Sequence, residues 1–551
     1  MAVLPPQVSA ESFAAAIREF SAAVGEAYVY TSDEDLVPYR DYWSPVPDPE
    51  EELLASAAVA PASVEEVQAI VRAANRHRTP LFPISTGKNF AYGGPAPSVR
   101  GCVVVDLKRM NRVLEVSDER NFALVEPGVS YFDLYRHIQE HGLKVWIDCV
   151  NPGWGGPCGT ALDRGMGYTL GYYRDHAGSI HGLEVVLANG EVMRTGMGAV
   201  PNSRTWQEYK YAFGPDPSGL FPQGNFGIVT KLGLRLMPAP EHYRSGFVTV
   251  PKRGDLHALI KSVNYLSDLF IIGEPHYGSP LTALMGDTEF REAATRRGGA
   301  DEAEMDRLAA AANLHSWQVE LQFLGSEGTT LANWEYAKTS FARNIPHARF
   351  TNGLSVRFPL TPEQIEHGLE PNPRYLWRSS FGVPSLATWV SLGRTESQPD
   401  SWQQYHTGLF AVIPRSADGL FEAQRVFGDA LRERGVGTNI SALSTPMNWY
   451  QFSFLFSAGF SSGVGTRSVT PETKARDAEI LRALITVAAE HGWAEYRAAP
   501  YFHDDVAHAY SFNDHALRRF HETLKDAVDP NGILAPGRGG VWPRHLRDGR
   551  G

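Results

Sequence analysis

The chain has little cysteine: Cys102, Cys149 and Cys158 are the whole complement of 551 residues. No CxxC pair occurs, so a thiolate zinc site is disfavoured. Three cysteines are too few for a disulfide scaffold and suit a reducing compartment. Positive charge is also short. The 51 basic side chains face 62 acidic ones, a formal net charge of −11. A nucleic-acid binder needs a basic footprint to displace counterions, and none is present. A site can still be locally positive on an acidic protein. No apolar run approaches the roughly 20 residues that span a bilayer. The N-terminus MAVLPPQVSAESFAAAIREF has no basic stretch ahead of an apolar core, so no secretory signal is read. The expectation is a cytoplasmic protein that binds neither membrane nor nucleic acid. No HExxH pattern and no GxSxG element occur, which argues against a zincin and an α/β hydrolase.

Apolar residues make up 43% and charged residues 21%, enough to bury a large core, and the length fits two to four domains. Short β-rich runs alternate with helices through the first half. A helix is expected over 11–24, opened by Ser9 or the Glu11-Ser12 region. The segment Trp43 to Glu52 is a Pro-rich acidic connector. Strands are expected in ASAAVAP, PLFPI, CVVVDL (102–107) and FALVEPGVS. Helices are expected from Val64 and in YFDLYRHIQEHGL, which stops at Gly142. GLEVVLANGEVMRTG reads as a hairpin turning at Asn189-Gly190. FGIVTKLGLRLMP reads as a strand pair. Near 247 the texture changes, and helices are expected at 255–268, 301–313, 418–434, 471–491 and 515–527. One aromatic strand is expected at 449–456, and the chain closes in a loop, DPNGILAPGRGGVWP.

Three segments carry chemistry. PISTGKNFAYGG (83–94) places three glycines beside Ser85, Thr86 and Asn89 after a short strand. Glycines let a backbone take positive φ, and consecutive N–H groups there form a nest for phosphate. The spacing is neither Walker A nor GxGxxG, and the plain alternative is a surface turn. NPGWGGPCGTALDRGMGYTLGYYRDHAG (151–178) is dense in glycine among aromatics, as backbone packed on a flat ligand would be; the alternative is an irregular loop. Tyr496-Arg497 could hold a phenolate or carboxylate by charge-assisted hydrogen bonds, though such a pair is more often structural. His503, Asp504 and Asp505 are a candidate metal cluster, with a solvated loop the preferred reading. No metal is expected.

These segments together resemble the vanillyl-alcohol oxidase / p-cresol methylhydroxylase flavoprotein family, especially its bacterial members that oxidise eugenol and 4-alkylphenols. The resemblance runs through ASAAVAPASVEEVQAIVRAAN, PISTGKNFAYGG, VVVDLKRMNRVLEV, ALVEPGVSYFDLY, GLEVVLANGEVMRTGMGA, GLFPQGNFGIVTKLGLRLMP and DPNGILAPGRGGVWP. It is weaker over 270–450. It implies an α+β fold with an FAD-binding domain (1–247), a cap domain of antiparallel sheet flanked by helices (248–492), and a C-terminal return to the first domain (493–551). It assigns the FAD pyrophosphate to Pro83, Ser85, Thr86, Gly87, Lys88 and Asn89. By the same resemblance, Glu126, Pro127, Gly128 and Val129 are expected to form the next flavin turn, and Gly155, Gly156, Gly159, Thr160, Gly167 and Ile228 to line the adenine and ribose side. Arg538 stands where the family has a lysine near the flavin. The implied phenol site is Tyr92, Tyr496 and Arg497.

The resemblance implies an oxidase that takes a hydride from the benzylic carbon of a para-substituted phenol. A quinone methide forms, and oxygen leaves as hydrogen peroxide. Three positions depart from the family pattern. Asn151 stands where the family has an aspartate beside flavin N5, with Asp148 three residues earlier, and an amide is no base. Gly408 precedes the Leu409-Phe410 pair where many members have a flavin-tethering histidine. Non-covalent FAD is therefore expected, with His406 the tether candidate. A short segment between Gly198 and Leu220 points to a homodimer. The rival readings are a dehydrogenase passing electrons to a separate cytochrome, a flavoprotein acting on sugars, lactones or hydroxy acids, and a flavin carrier without turnover. Small residues at 438–445 (TNISALST) suggest room for methoxylated, lignin-derived rings.

Overall fold

The computed structural model describes residues 3–90, 92–150, 152–367, 377–386, 408–436, 440–450, 453–459 and 470–547. The chain opens with α1 (Ala10–Val24), capped by the Ser9 hydroxyl, which accepts from the Ser12 N–H. Its Phe13, Ala16, Phe20 and Val24 recur at helical spacing and are buried. Burying a side chain such as Phe20 stabilises by about 2 kcal/mol. There follow β1 (Val29–Tyr30), β2 (Ala57–Val59), α2 (Val64–His77), β3 (Leu81–Ile84) and β4 (Val103–Asp106). They form a sheet in the order β1-β2-β4-β3. Strands β2 and β3 both run parallel to β4. α2 carries the crossover from β2 to β3, and α1 packs beside it in one core. The loop from β3 to β4 holds the residues expected to bind phosphate.

The second sheet is antiparallel. It comprises β5 (Val113–Ser117) and β6 (Phe122–Val125), then, beyond α3 (Tyr131–Glu140), β7 (Val145–Trp146) and α4 (Pro157–Leu162), β8 (Ile180–Val186), β9 (Val192–Arg194) and β10 (Ile228–Arg235). Its order is β5-β6-β10-β8-β9. α3 has a capping box at Ser130 and Asp133, and it ends at Gly142, whose φ is 62°. The Asn189-Gly190 hairpin forms as expected, with Gly190 at φ 82°. FGIVTKLGLRLMP does not pair with itself. β10 is one long strand, and β11 (Met237–Pro238) pairs with β7 instead. Arg235 and Met237 are successive strand ends, so no turn residue separates them to fold one back on the other.

Beyond Pro238 the partners change. β12 (His242–Val250) straddles residue 247, yet it pairs only with later strands. After α5 (Leu256–Asp268) come β13 (His276–Gly278), β14 (Trp317–Gly325), α6 (Glu327–Asn344) and β15 (Arg349–Arg357), giving the order β13-β14-β12-β15. The expected helix near 301–313 runs Glu302–Ala311. A further sheet, β17-β18-β16-β19, uses β16 (Gly408–Ile413), β17 (Met447–Tyr450), β18 (Ser453–Gly459) and β19 (Ala494–Glu495), with α7 (Ala417–Glu433) and α8 (Pro471–Glu490). The expected single strand at 449–456 is thus divided between β17 and β18, which pair antiparallel. Both sheets share one apolar core with α5 to α8.

The closing segment serves both parts. β19 is an edge of the later sheet. After α9 (His503–Ala509) and α10 (Phe512–Val528), the chain reaches back. Leu534 bridges Leu81, and Ile533, Ala535, Val541 and Trp542 enter the cores of the first part. Lys525, fully buried, fixes this return by donating to the Asn225 and Leu534 carbonyls and pairing with Asp529 at 2.7 Å. His503, Asp504 and Asp505 lie at the start of α9, not in a solvated loop. Asp504 accepts from the Trp542 indole, Asp505 pairs with Arg482, and His503 accepts from the Gly539 N–H and contacts the Ala498 carbonyl. Among the described residues no His, Cys, Asp and Glu group could hold a metal, and no helix is long and apolar enough to cross a membrane.

Candidate active site

The β3–β4 loop forms one wall of a cavity of about 300 Å³. Ser85, Thr86, Gly87, Lys88 and Asn89 line it, and Gly87 takes φ 67°, as a nest requires. The opposite wall is the α4 approach, Gly155, Gly156, Gly159 and Thr160. Glycine is needed there for closeness. A Cβ at Gly156 would sit 2.4 Å from the Val129 carbonyl oxygen, and one at Gly159 the same distance from the Ser85 hydroxyl. Apolar side chains, among them Leu107, Val150, Met166 and Val229, complete the lining. A cavity lined by the backbone of two glycine-bearing segments, by apolar side chains and by Lys88 fits a flat ring system joined to a phosphate group.

Pro83, Pro127, Tyr92, Arg497 and Arg538 also line this cavity. Six expected site residues stand elsewhere. Glu126 is buried behind the wall, where its carboxylate pairs with the Arg112 guanidinium at 2.6 Å and accepts the Arg112 N–H. Gly128 lets the 126–129 turn approach the Leu107 carbonyl, which a Cβ would meet at 2.6 Å. Val129 and Ile228 are core residues. Gly167 lies under Asp148, whose Oδ1 a Cβ would meet at 1.1 Å. Tyr496 faces a second cavity of about 360 Å³. Asn151 and His406 lie outside the described residues, as do Thr438 and Asn439 of the 438–445 stretch.

The Arg497 guanidinium lies 3.8 Å over the Tyr92 ring centroid and 5.7 Å from that of Tyr496. The two tyrosines therefore meet at the arginine from different cavities. Burial raises the Tyr92 hydroxyl's pKa, and Arg497 pulls it back down. Burial works against the Arg497 charge, but Tyr496, Tyr92 and Asp163 hold it, and its pKa rises. Glu495 is buried behind this pair and accepts from the backbone N–H groups of Phe410, Arg497 and Tyr496. Burial nonetheless pushes its carboxyl up to about 8. The Phe410 ring stands 6.3 Å from that of Tyr92, so the Leu409-Phe410 pair borders the site.

Two buried aspartates lie near these groups. Asp163 accepts from Asn89 at 2.8 Å, pairs with Arg497 at 3.5 Å and hydrogen-bonds Arg538. Nothing in its local sequence marks it; it is one of two acids in the glycine-dense stretch. Asp148 accepts from the N–H groups of Tyr168 and Thr169, from the Thr169 hydroxyl and from His176. His176 in turn meets the Tyr131 hydroxyl at 3.3 Å.

A family model described as an FAD binding domain matches residues 55–196. Over 98% of its length the chain is 31% identical to the 4-cresol dehydrogenase [hydroxylating] flavoprotein subunit of Pseudomonas putida, and it covers 98% of that protein. It belongs to the vanillyl-alcohol oxidase / p-cresol methylhydroxylase family. Two solved members share its fold almost end to end. The 4-ethylphenol oxidase of Gulosibacter chungangensis, in complex with isoeugenol, superposes with a TM-score of 0.78 at 32% identity, covering 99% of this chain and all of the other. A p-cresol methylhydroxylase with substrate bound gives 0.80 at 30% identity, with 98% and 99% covered. This flavoprotein is thus an FAD-dependent oxidoreductase of two-domain α+β architecture.

Proposed function

We propose that this flavoprotein oxidises para-substituted phenols (4-alkylphenols, 4-allylphenols or 4-hydroxybenzylic alcohols, methoxylated rings included) with oxygen as acceptor. The observation that carries the reading is Arg497 held 3.8 Å over Tyr92 in the wall of the cofactor cavity. Relatives of nearly the full length that are named for 4-cresol and 4-ethylphenol support it. FAD, when bound, supplies the two-electron acceptor for the benzylic hydride. Arg497 and the Tyr92 hydroxyl favour the ionised phenol by opposite charge and hydrogen bonding, with Tyr496 bearing on Arg497 from the second cavity. The phenolate pushes electrons toward the para carbon as hydride leaves, giving a neutral quinone methide. Arg497 and Tyr92 hold the phenol oxygen and so fix the benzylic carbon in place, which is a positioning effect. Water then adds, or a proton leaves to give an alkene.

The proposed division is an FAD-binding part, a substrate cap, and a C-terminal return that carries Tyr496 and Arg497. FAD is proposed to be held without a covalent bond, and the protein to be a cytoplasmic homodimer. Anaerobic addition of a 4-alkylphenol should bleach the flavin, and admission of air should release one peroxide per phenol. A flavin left oxidised by every such phenol sinks the reading and leaves a carrier. A second reading, a dehydrogenase serving a separate cytochrome, draws on the Pseudomonas putida relative, which is a flavoprotein subunit. Bleaching that persists in air, with no peroxide, would select it.

A further inference from the structure

Asp163 has no place in the phenol site as read from its three aromatic and cationic side chains, yet that site is built around it. Its carboxylate is 8% exposed and takes a partner from each of three remote segments. Asn89 belongs to the β3–β4 loop, Arg497 follows β19, and Arg538 lies in the C-terminal return. Asp163, Arg497 and Arg538, with Gln223 and Gly224, line both the cofactor cavity and the second cavity. They form the partition between the two. A guanidinium stacked on a ring can still slide and turn in its plane. A carboxylate 3.5 Å from its Nε, an ion pair without a hydrogen bond, restrains that freedom by charge.

We propose that Asp163 is a positioning residue that orients Arg497 and balances its charge, and so sets the protonation state of a bound phenol. This rests on the phenol-oxidising reading. Among the described residues, charged and titratable groups face the cluster from several elements. Tyr92 and Asn89 approach from the loop, and Arg497, Tyr496 and the buried Glu495 from the β19 side. Arg538 approaches from the return, with His503 of α9 within its field. The neighbouring Arg164 acts on Tyr510 and His521. Two guanidinium groups therefore share one close carboxylate. Removing that charge leaves Arg497 more positive toward a phenol, so ionisation becomes easier while orientation is lost.

The test uses FAD-loaded protein and a para-halophenol, which has no benzylic hydrogen to lose. Binding is followed by flavin absorbance across pH. Asp163→Asn should retain FAD, bind the probe ~10-fold more weakly, and move the pH dependence of binding down by about one unit. Asp163→Glu keeps the charge and should leave the pH profile in place. An Asp163→Asn protein with FAD, wild-type affinity and an unmoved profile overturns the inference alone. A wild-type protein that holds FAD but binds no such phenol overturns the phenol reading and the inference with it. If Asp163→Asn loses FAD, a crystal structure of the loaded wild type decides. Asp163 still paired with both arginines upholds the inference, and Asp163 released from either removes it.

Discussion

Asp148 lies just before the glycine-dense stretch and Asp163 within it, and both are buried. Their surroundings differ in kind. Asp148 is met by two backbone N–H groups, a threonine hydroxyl and His176, all within the first part of the chain. Asp163 is met by two guanidinium groups and an amide from three segments far apart in sequence. The first is a knot that ties the 146–150 segment to 166–176. The second is a junction between cofactor loop, phenol site and C-terminal return. Burial alone does not tell a structural carboxylate from a functional one; what its partners are free to do does. Two of the Asp148 donors are backbone N–H groups fixed by the fold, while Arg497 is a side chain that faces the cavity.

The largest test of this contrast is on the functional side. Arg497→Ala should lower turnover of a 4-alkylphenol by roughly 1,000-fold while FAD stays bound. Steady-state rates alongside the flavin spectrum would show it, and near-normal turnover would remove the arginine from the chemistry. On the structural side, Asp148→Ala leaves buried donors unsatisfied, and we expect a loss of about 3–5 kcal/mol in urea unfolding. Asp163→Asn should cost less than half as much. Equal losses would erase the distinction between knot and junction.

Glu495 sharpens the junction further. Its folded pKa, about 8 against an ordinary 4.5, means the folded state holds a proton that the unfolded state releases. Stability should therefore fall as pH rises from about 4.5 to about 8. Glu495→Gln should flatten the Tm profile across that window, and an unchanged slope would assign it to other groups. The smallest effect is expected at Gly87, where φ is 67° and an added Cβ meets Pro95 Cβ at 3.1 Å. Gly87→Ala should cost about 1–2 kcal/mol and weaken FAD by about tenfold, measured by flavin fluorescence on titration of apoprotein.

The legibility of the fold followed periodicity. α2 and α8 could be read to within a residue or so because their apolar spacing and caps lie in the same short stretch of chain. β12, β14 and β15 went unread. Their burial is set by partners up to about a hundred residues away, and no turn signal joins them. The 449–456 strand was read as one because its aromatic run hides the reversal into β17 and β18. In the site, the nest loop and Arg497 were legible from motif and chemistry. Tyr496 was read with Arg497 as a pair and joined to Tyr92 by the resemblance, yet the structure turns it to the second cavity.

The sequence by itself determined the cofactor loop. Glycine spacing after a strand is a local backbone property, and it survives whatever the rest of the chain does. The class of chemistry was read through the family resemblance, since the Tyr496-Arg497 pair by itself is more often structural. The tertiary structure decided which carboxylate governs that chemistry. Asp148 and Asp163 are alike as letters. Only the return of the C-terminal segment past Leu81 and the packing of Arg497 on Tyr92 place two positive charges around one and none of that kind around the other. Electrostatic fields depend on distance in space, and distance along the chain does not report it.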